Sequence, residues 1–296
     1  MRIFITGATG FIGSAVVQEL INAGHQVLGL ARSDEGVAWL TSVGAHAHRG
    51  SLEDPASLQS GAADADAVIH NAFSHDFSKF AENCETDRRA IEALGDALAG
   101  SNRSLMVAAG LAGLAKPGEL ATEESVISPH FPFPRVSEQT ALAQISKGVA
   151  ASVMRLPQVH DTRRQGLVSF TILIARQKGT VAYVGEEANR WAAAHVSDVA
   201  RLYRLAIEKN EAGAKYHAVA EEGVRARDIA ETVARGLNLP VVSLSPEEAQ
   251  GYFGWMGGLA GADIIASSAI TRQKFGWNPA GPGLIADLEK MDYNQA

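Results

Sequence analysis

Three glycines spaced G-x-x-G-x-x-G, Gly7, Gly10 and Gly13, fall between an apolar run at 2–6 and an amphipathic run at 11–23. A strand that turns at once into a helix leaves the helix's first N–H groups unpaired. It also aims the positive end of the helix dipole at whatever rests on the turn. Such a turn suits a pyrophosphate, whose oxygens need close backbone donors and no intervening side chain. Gly7 serves the tight turn, Gly10 clears the approach of the phosphates, and Gly13 lets the helix pack on the strand. The segment Thr6-Gly7-Ala8-Thr9-Gly10-Phe11-Ile12-Gly13 therefore predicts a dinucleotide cradle. Its expected contact residues are Gly7, Thr9, Gly10, Phe11, Ile12 and Gly13.

The rest of the first half repeats the same alternation. Nearly pure apolar runs at 2–6, 26–31, 45–49, 67–70, 104–108 and 151–155 read as strands covered on both faces. Helices are predicted between them at 11–23, 34–42, 55–60, 80–98 and 134–147. This is the pattern of an α/β fold with a Rossmann-type doubly wound parallel sheet. Past Pro157 the pattern loosens, with helices at 167–177, 197–208, 226–237 and 246–252 and short strands at 215–219 and 241–244. The expected division is a dinucleotide-binding domain over 1–155, with 193–218 returning to it. A smaller C-terminal substrate-binding region takes 156–192 and 219–296. All five tyrosines lie in this second half. Its aromatics Trp191, Phe253 and Trp255 are candidates to line a substrate pocket or to fill a core.

Composition narrows the class. The 296 residues carry a net charge of -7 and no basic run, which argues against a nucleic-acid footprint. Cys84 is the single cysteine, so neither a disulfide framework nor a cysteine-rich metal site is expected, and its reading is that of a small buried apolar residue. The amino terminus reaches its glycines too soon for a signal peptide, and no apolar run approaches the ~20 residues that span a bilayer. The expectation is a cytoplasmic enzyme or sensor that meets a small molecule rather than nucleic acid or membrane. Its oligomeric state is left open.

Further motifs follow the glycine loop in order: Gly50-Ser51-Leu52-Glu53-Asp54, Val68-Ile69-His70-Asn71-Ala72, Arg155-Leu156-Pro157, Trp191 with His195-Val196-Ser197-Asp198-Val199-Ala200, and Phe275-Gly276-Trp277-Asn278-Pro279. With them the chain resembles the short-chain dehydrogenase/reductase superfamily over most of its length. The branch it is similar to is the extended or atypical one, the NAD-dependent epimerase/dehydratase family. The resemblance implies that Ser51 and Leu52 lie at the adenine side, and that Asn71, Ala72 and Ala108 line the cofactor. It places Pro157 near the nicotinamide and makes His195 a structural sheet histidine.

The second predicted strand ends Leu30-Ala31-Arg32-Ser33-Asp34. An NAD(H) site normally has an acid there, on the ribose hydroxyls. Arg32 and Ser33 instead suit a 2′-phosphate, so NADP(H) is favoured over NAD(H). Asp34 reads as the N-cap of the next helix.

The resemblance also implies a tyrosine followed four residues later by a lysine, with a hydroxyl after the fifth strand. The matching segment reads Pro134-Arg135-Val136-Ser137-Glu138, with Pro134 at the tyrosine position and Glu138 at that of the lysine. The tyrosines are followed at that spacing by Glu187, Ile207, Ala220 and Met256, and after Tyr293 by no residue. Ala108-Ala109-Gly110-Leu111 brings no hydroxyl. Replacement candidates are His75 with Asp76, Arg135, Ser137 and His160, while His70 reads as structural. Three functions fit: an NADP(H)-dependent oxidoreductase on a small organic carbonyl, a dinucleotide-binding sensor or pseudoenzyme, and an epimerase or dehydratase that uses the cofactor transiently. The first is preferred.

The strand-end chemistry gives a measurable expectation. NADPH should bind at least ~10-fold more tightly than NADH, about 1.4 kcal/mol, and Arg32→Ala should erase most of that gap in calorimetric titration. Equal affinities in the parent protein would refute it.

Overall fold

The chain enters its core at once, with Ile3, Phe4 and Ile5 of β1 (Arg2–Thr6) fully buried. The computed structural model describes residues 1–128, 134–185 and 189–294. After β1 come α1 (Phe11–Asn22), β2 (Gln26–Ala31), α2 (Asp34–Ser42), β3 (His46–Arg49), α3 (Pro55–Ala63) and β4 (Ala67–His70). Then follow α4 (Phe80–Leu98), β5 (Ser104–Gly110), α5 (Ser137–Ala143) and β6 (Ala150–Leu156). A further stretch holds β7 (Gln158–His160), α6 (Leu167–Lys178), β8 (Val181–Val184) and β9 (Arg190–His195), before α7 (Val196–Lys209) and β10 (Lys215–His217). The chain closes with β11 (Glu221–Arg225), α8 (Ala226–Leu237), β12 (Val241–Leu244), α9 (Pro246–Phe253), α10 (Gly257–Ala260), α11 (Ala269–Phe275) and α12 (Leu284–Lys290).

Seven strands form one sheet in the order β10-β6-β5-β4-β1-β2-β3. The pairs β1–β2, β1–β4, β2–β3 and β4–β5 are parallel. Strand order reverses between β1 and β4, the switch point where doubly wound sheets open a crevice at the carboxyl ends of their strands. Register sets Thr6 beside His70 there, and His70 beside Val107.

Two units divide the chain. The first is Met1–Ala109, Pro132–Arg155 and Val199–Tyr216; the second is Gly110–Phe131, Leu156–Asp198 and His217–Ala296. This differs from the expected division in three stretches, 110–131, 193–198 and 217–218. The segment after β5 groups with the second unit because its backbone is tied there, Ala121 N–H to Ile265 O at 3.1 Å and Ser267 N–H to Ala121 O at 2.8 Å. Residues 193–198 also stay with that unit, since β9 pairs with β7 and β11 in a separate three-stranded sheet. The return to the large sheet is made by α7 and β10.

Trp191 and Phe253 belong to the second unit's core, packed with Val168, Ile172, Val233 and Met256. The space they help to line has a volume of about 30 Å³, room for a single water and not for a substrate. Trp255 is instead 41% exposed and stands edge-on to Phe170. No helix among the described residues is long and apolar enough to cross a membrane.

Close approach of backbones explains two of the loop glycines. Gly7 adopts φ +70°, and a Cβ there would stand 2.8 Å from the Ala72 nitrogen. A Cβ on Gly13 would lie 1.9 Å from the Gly7 oxygen, so α1 rests directly on the loop. Gly13→Ala should therefore lower stability by about 3 kcal/mol in urea unfolding. Gly251→Ala, at a helical position with open space around it, should raise stability by up to about 1 kcal/mol.

Candidate dinucleotide and substrate site

The loop between β1 and α1 offers donors. Gly10 caps α1 without any side-chain hydrogen bond, so the N–H groups of Phe11, Ile12 and Gly13 have no partner within the helix. Gly10 N–H turns back to Gly7 O at 3.0 Å, which closes the loop tightly. Thr9 and Gly10 are exposed, and a Cβ on Gly10 would meet only the Gly7 oxygen, at 3.2 Å, and otherwise fill the cradle. The residues present fit a dinucleotide pyrophosphate.

At the end of β2 the structure changes one expectation. Ser33, not Asp34, caps α2, its Oγ accepting from Gly36 N–H at 3.2 Å. The reason is spacing: the Ser33 oxygen reaches the N3 donor while Asp34 already lies in the first turn. The Asp34 carboxylate pairs with the Arg49 guanidinium at the end of β3. Arg49 also donates to Arg32 O at 3.3 Å. The Arg32 side chain itself is exposed. Ser51 and Leu52 occupy the turn after β3, where Ser51 N–H meets Ser57 Oγ at 3.3 Å and Leu52 packs on the first unit's core.

Beyond β4 the backbone of Asn71 and Ala72 runs against the loop. Asn71 N–H donates to Thr6 O and Ala72 N–H to Thr6 Oγ1, both at 3.3 Å. The buried Tyr203 hydroxyl donates to Asn71 Oδ1 at 3.2 Å. Burial pushes that hydroxyl's pKa up, against the opposing charge of Arg135.

A buried polar chain joins these strand ends to the start of α5. Thr6 Oγ1 lies 2.8 Å from His70 Nδ1, and His70 Nε2 lies 3.1 Å from Asp87 Oδ1. Ser137 Oγ donates to Asp87 Oδ2 at 2.5 Å, and Arg135 Nε donates to Ser137 Oγ at 2.8 Å. Arg135 also donates to Ala108 O at 3.3 Å, and its guanidinium lies 4.1 Å from the centre of the Phe73 ring. The Asp87 side chain is 1% exposed and that of Arg135 24%. Burial alone would push the Asp87 carboxyl up. His70, through its hydrogen bond and charge, the Arg135 charge and the Ser137 hydroxyl outweigh burial and hold the pKa below its usual value.

Arg135 and Ser137 thus come together as the sequence suggested, though α5 starts only at Ser137, with Val136 as its non-helical cap. His75 stands near them, edge-on to Phe73 and Phe77. Desolvation by burial, then the Arg135 charge, lower its pKa. Asp76 is drawn off to cap the turn at Phe77–Lys79 through Ser78. Cys84 is buried, and burial pushes its thiol up to about 11. Glu138 is committed to a buried, two-point ion pair with Arg155, both contacts at 2.7 Å. Pro157, His160 and His195 lie in the second unit. There His160 is fully buried with Nδ1 2.7 Å from Asp287 Oδ2, and His195 Nδ1 lies 2.7 Å from Ser197 Oγ. Glu187, one of the residues tested at the lysine spacing, lies outside the described residues.

Sequence reasoning missed Asp87, Phe73, Phe77, Phe80 and Tyr203. For Asp87 a signal existed: it falls in the helical stripe Cys84, Asp87, Ile91, Leu94, Leu98 that α4 buries. A carboxylate on an apolar stripe needs a partner inside.

The sequence model described as the NAD dependent epimerase/dehydratase family matches residues 3–220. An uncharacterised protein of Schizosaccharomyces pombe is 45% identical over 99% of this chain and 100% of its own. The 2-alkyl-3-oxoalkanoate reductase of Stenotrophomonas maltophilia is 30% identical over 72% of this chain and 67% of its own. Among solved structures, a Thermus thermophilus UDP-glucose 4-epimerase in complex with NAD has a TM-score of 0.76 at 20% identity, covering 100% of this chain and 98% of that one. That last likeness is one of fold.

The depressed Asp87 pKa carries a sign. Its charge contributes stability that is fully present above the unfolded carboxyl value and disappears as pH falls through the lower folded one. Asp87→Asn should cost about 2 kcal/mol near neutral pH, and the gap to the parent should close only below about pH 4. Chemical unfolding at a series of pH values reads it; a gap that widens in acid contradicts the assignment.

Proposed function

The chain belongs to the NAD-dependent epimerase/dehydratase family, and on that footing we propose that it is an NADP(H)-dependent oxidoreductase that reduces a small organic carbonyl without the tyrosine–lysine pair. The carrying observation is Arg135, held at the end of β5 by Ser137 and Ala108 O. When bound, the reduced dinucleotide supplies hydride to the carbonyl carbon. The chain's part is to place the glycine loop under the pyrophosphate and to meet the charge that grows on the carbonyl oxygen. A guanidinium anchored in place suits that second task, because its dipoles need no reorganisation as the charge develops. Arginine keeps its proton, and water at the site supplies the proton that the oxygen takes.

Arg32, Ser33 and the pairing of Asp34 with Arg49 support NADP(H) over the NAD of the family's name and of the Thermus protein. The name of the Stenotrophomonas reductase supports reduction of a carbonyl. A second reading, a dinucleotide-binding sensor, is favoured by one observation: Glu138 at the lysine position is locked onto Arg155. Loss of NADPH absorbance across a carbonyl panel separates the two. Turnover should appear, and Arg135→Gln should lower kcat about 100-fold while NADPH still binds. Tight NADPH binding with no consumption would leave the sensor standing.

A further inference from the structure

We propose that Arg49 is a specificity-determining residue for the dinucleotide: it engages the Asp34 carboxylate, keeps that acid from ribose hydroxyls, and leaves Arg32 as the working charge at the end of β2. This deepens the NADP(H) reading above and rests on it. β2 and β3 run parallel and end level, with Ala31 opposite Arg49. Gly50 N–H donates to Ala31 O at 3.3 Å and ties the two ends together. From that register the Arg49 guanidinium spans the end of β2. Its Nη1 donates to Arg32 O at 3.3 Å and its Nη2 to Asp34 Oδ1. A planar fork meets two acceptors at once, which a single ammonium does not. The Asp34 side chain is 96% exposed and that of Arg49 52%. A pair so open to water adds little to stability. What it changes is the charge that the strand end shows to a ligand.

An acid at the end of the second strand favours NAD(H), because its oxygens accept from the ribose hydroxyls. The same acid repels the 2′-phosphate of NADP(H), as like charges do. Asp34 lies in the first turn of α2, directly after Arg32 and Ser33, and Glu35 follows it there. With Arg49 in place, two guanidinium groups answer these two acids. Without it, Asp34 and Glu35 would stand against Arg32 alone. Loss of Arg49 therefore acts in opposite directions on the two dinucleotides: NADPH binds more weakly, and NADH gains an acceptor for its ribose. Damage to the loop or the strand ends would weaken both together.

Calorimetric titration of NADPH and NADH into the parent, Arg49→Met, Asp34→Asn and the double variant reads the idea. In Arg49→Met the ratio of NADPH to NADH affinity should fall about 5- to 10-fold at low salt, with NADH bound no more weakly than by the parent. Asp34→Asn alone should move the ratio by no more than about twofold, because the acid is already engaged. In the double variant the ratio should return to within about twofold of the parent's, since the acid that Arg49 restrained is gone. An unchanged ratio in Arg49→Met, or equal weakening of both dinucleotides, overturns the proposal. So does a double variant that keeps the low ratio, which would mean that Arg49 meets the phosphate itself. Should Arg49→Met fold poorly, a larger shift in Asp34→Asn alone overturns it as well. A parent that prefers NADPH whatever stands at position 49 would sink the role of Arg49 and leave the NADP(H) reading standing. A parent without that preference, whose ratio still moves toward NADH in Arg49→Met and back in the double variant, would do the reverse.

Discussion

The first unit depends on one buried carboxylate. Asp87 sits on the inward stripe of α4, and a charge there is tolerated only if paired and hydrogen-bonded. His70 from β4 and Ser137 from α5 satisfy its two oxygens, and Arg135 balances its charge from outside. One side chain thereby fixes a strand end, a helix and the start of a second helix. It also holds the Arg135 rotamer in place through Ser137, so the entropy of ordering that long side chain is lost on folding and not on ligand binding.

The same network reaches the glycine loop through Thr6. Its Oγ1 meets His70 on one side and accepts the Ala72 N–H on the other. Gly7 must then pass within a Cβ's width of Ala72, which explains the glycine on steric grounds before any ligand is considered. Loop shape and Arg135 placement are thus two ends of one hydrogen-bonded chain, and disturbance at either end is felt at the other.

Two acids of the first unit are each held by an arginine. After β2, Asp34 is answered by Arg49, and the Arg32 side chain is left to solvent. On α5, Glu138 is locked in a buried pair with Arg155. Removing one partner of such a pair strands a charge in the core. Glu138 is therefore held for stability whatever chemistry the site performs.

Legibility followed sequence distance. The strand, loop and helix at 2–22, the long helix α4 and the order of the motifs were readable because apolar period and turn residues are properties of neighbours in the chain. The two guanidinium groups, Arg32 and Arg135, were readable as residue types at known places. Partners were not. Whether Ser33 or Asp34 caps α2 turns on which oxygen reaches Gly36, a matter of local geometry below the resolution of a pattern. Trp191 and Phe253 were equally apt for a pocket or a core until β8, β9 and α8 closed around them. Asp87 meets Ser137 across 50 residues and His70 across 17. By itself the sequence determined a dinucleotide cradle on a doubly wound sheet. Only the tertiary structure decided which side chains surround Arg135, because strand order, and not chain order, brings β1, β4, β5 and α5 to one edge.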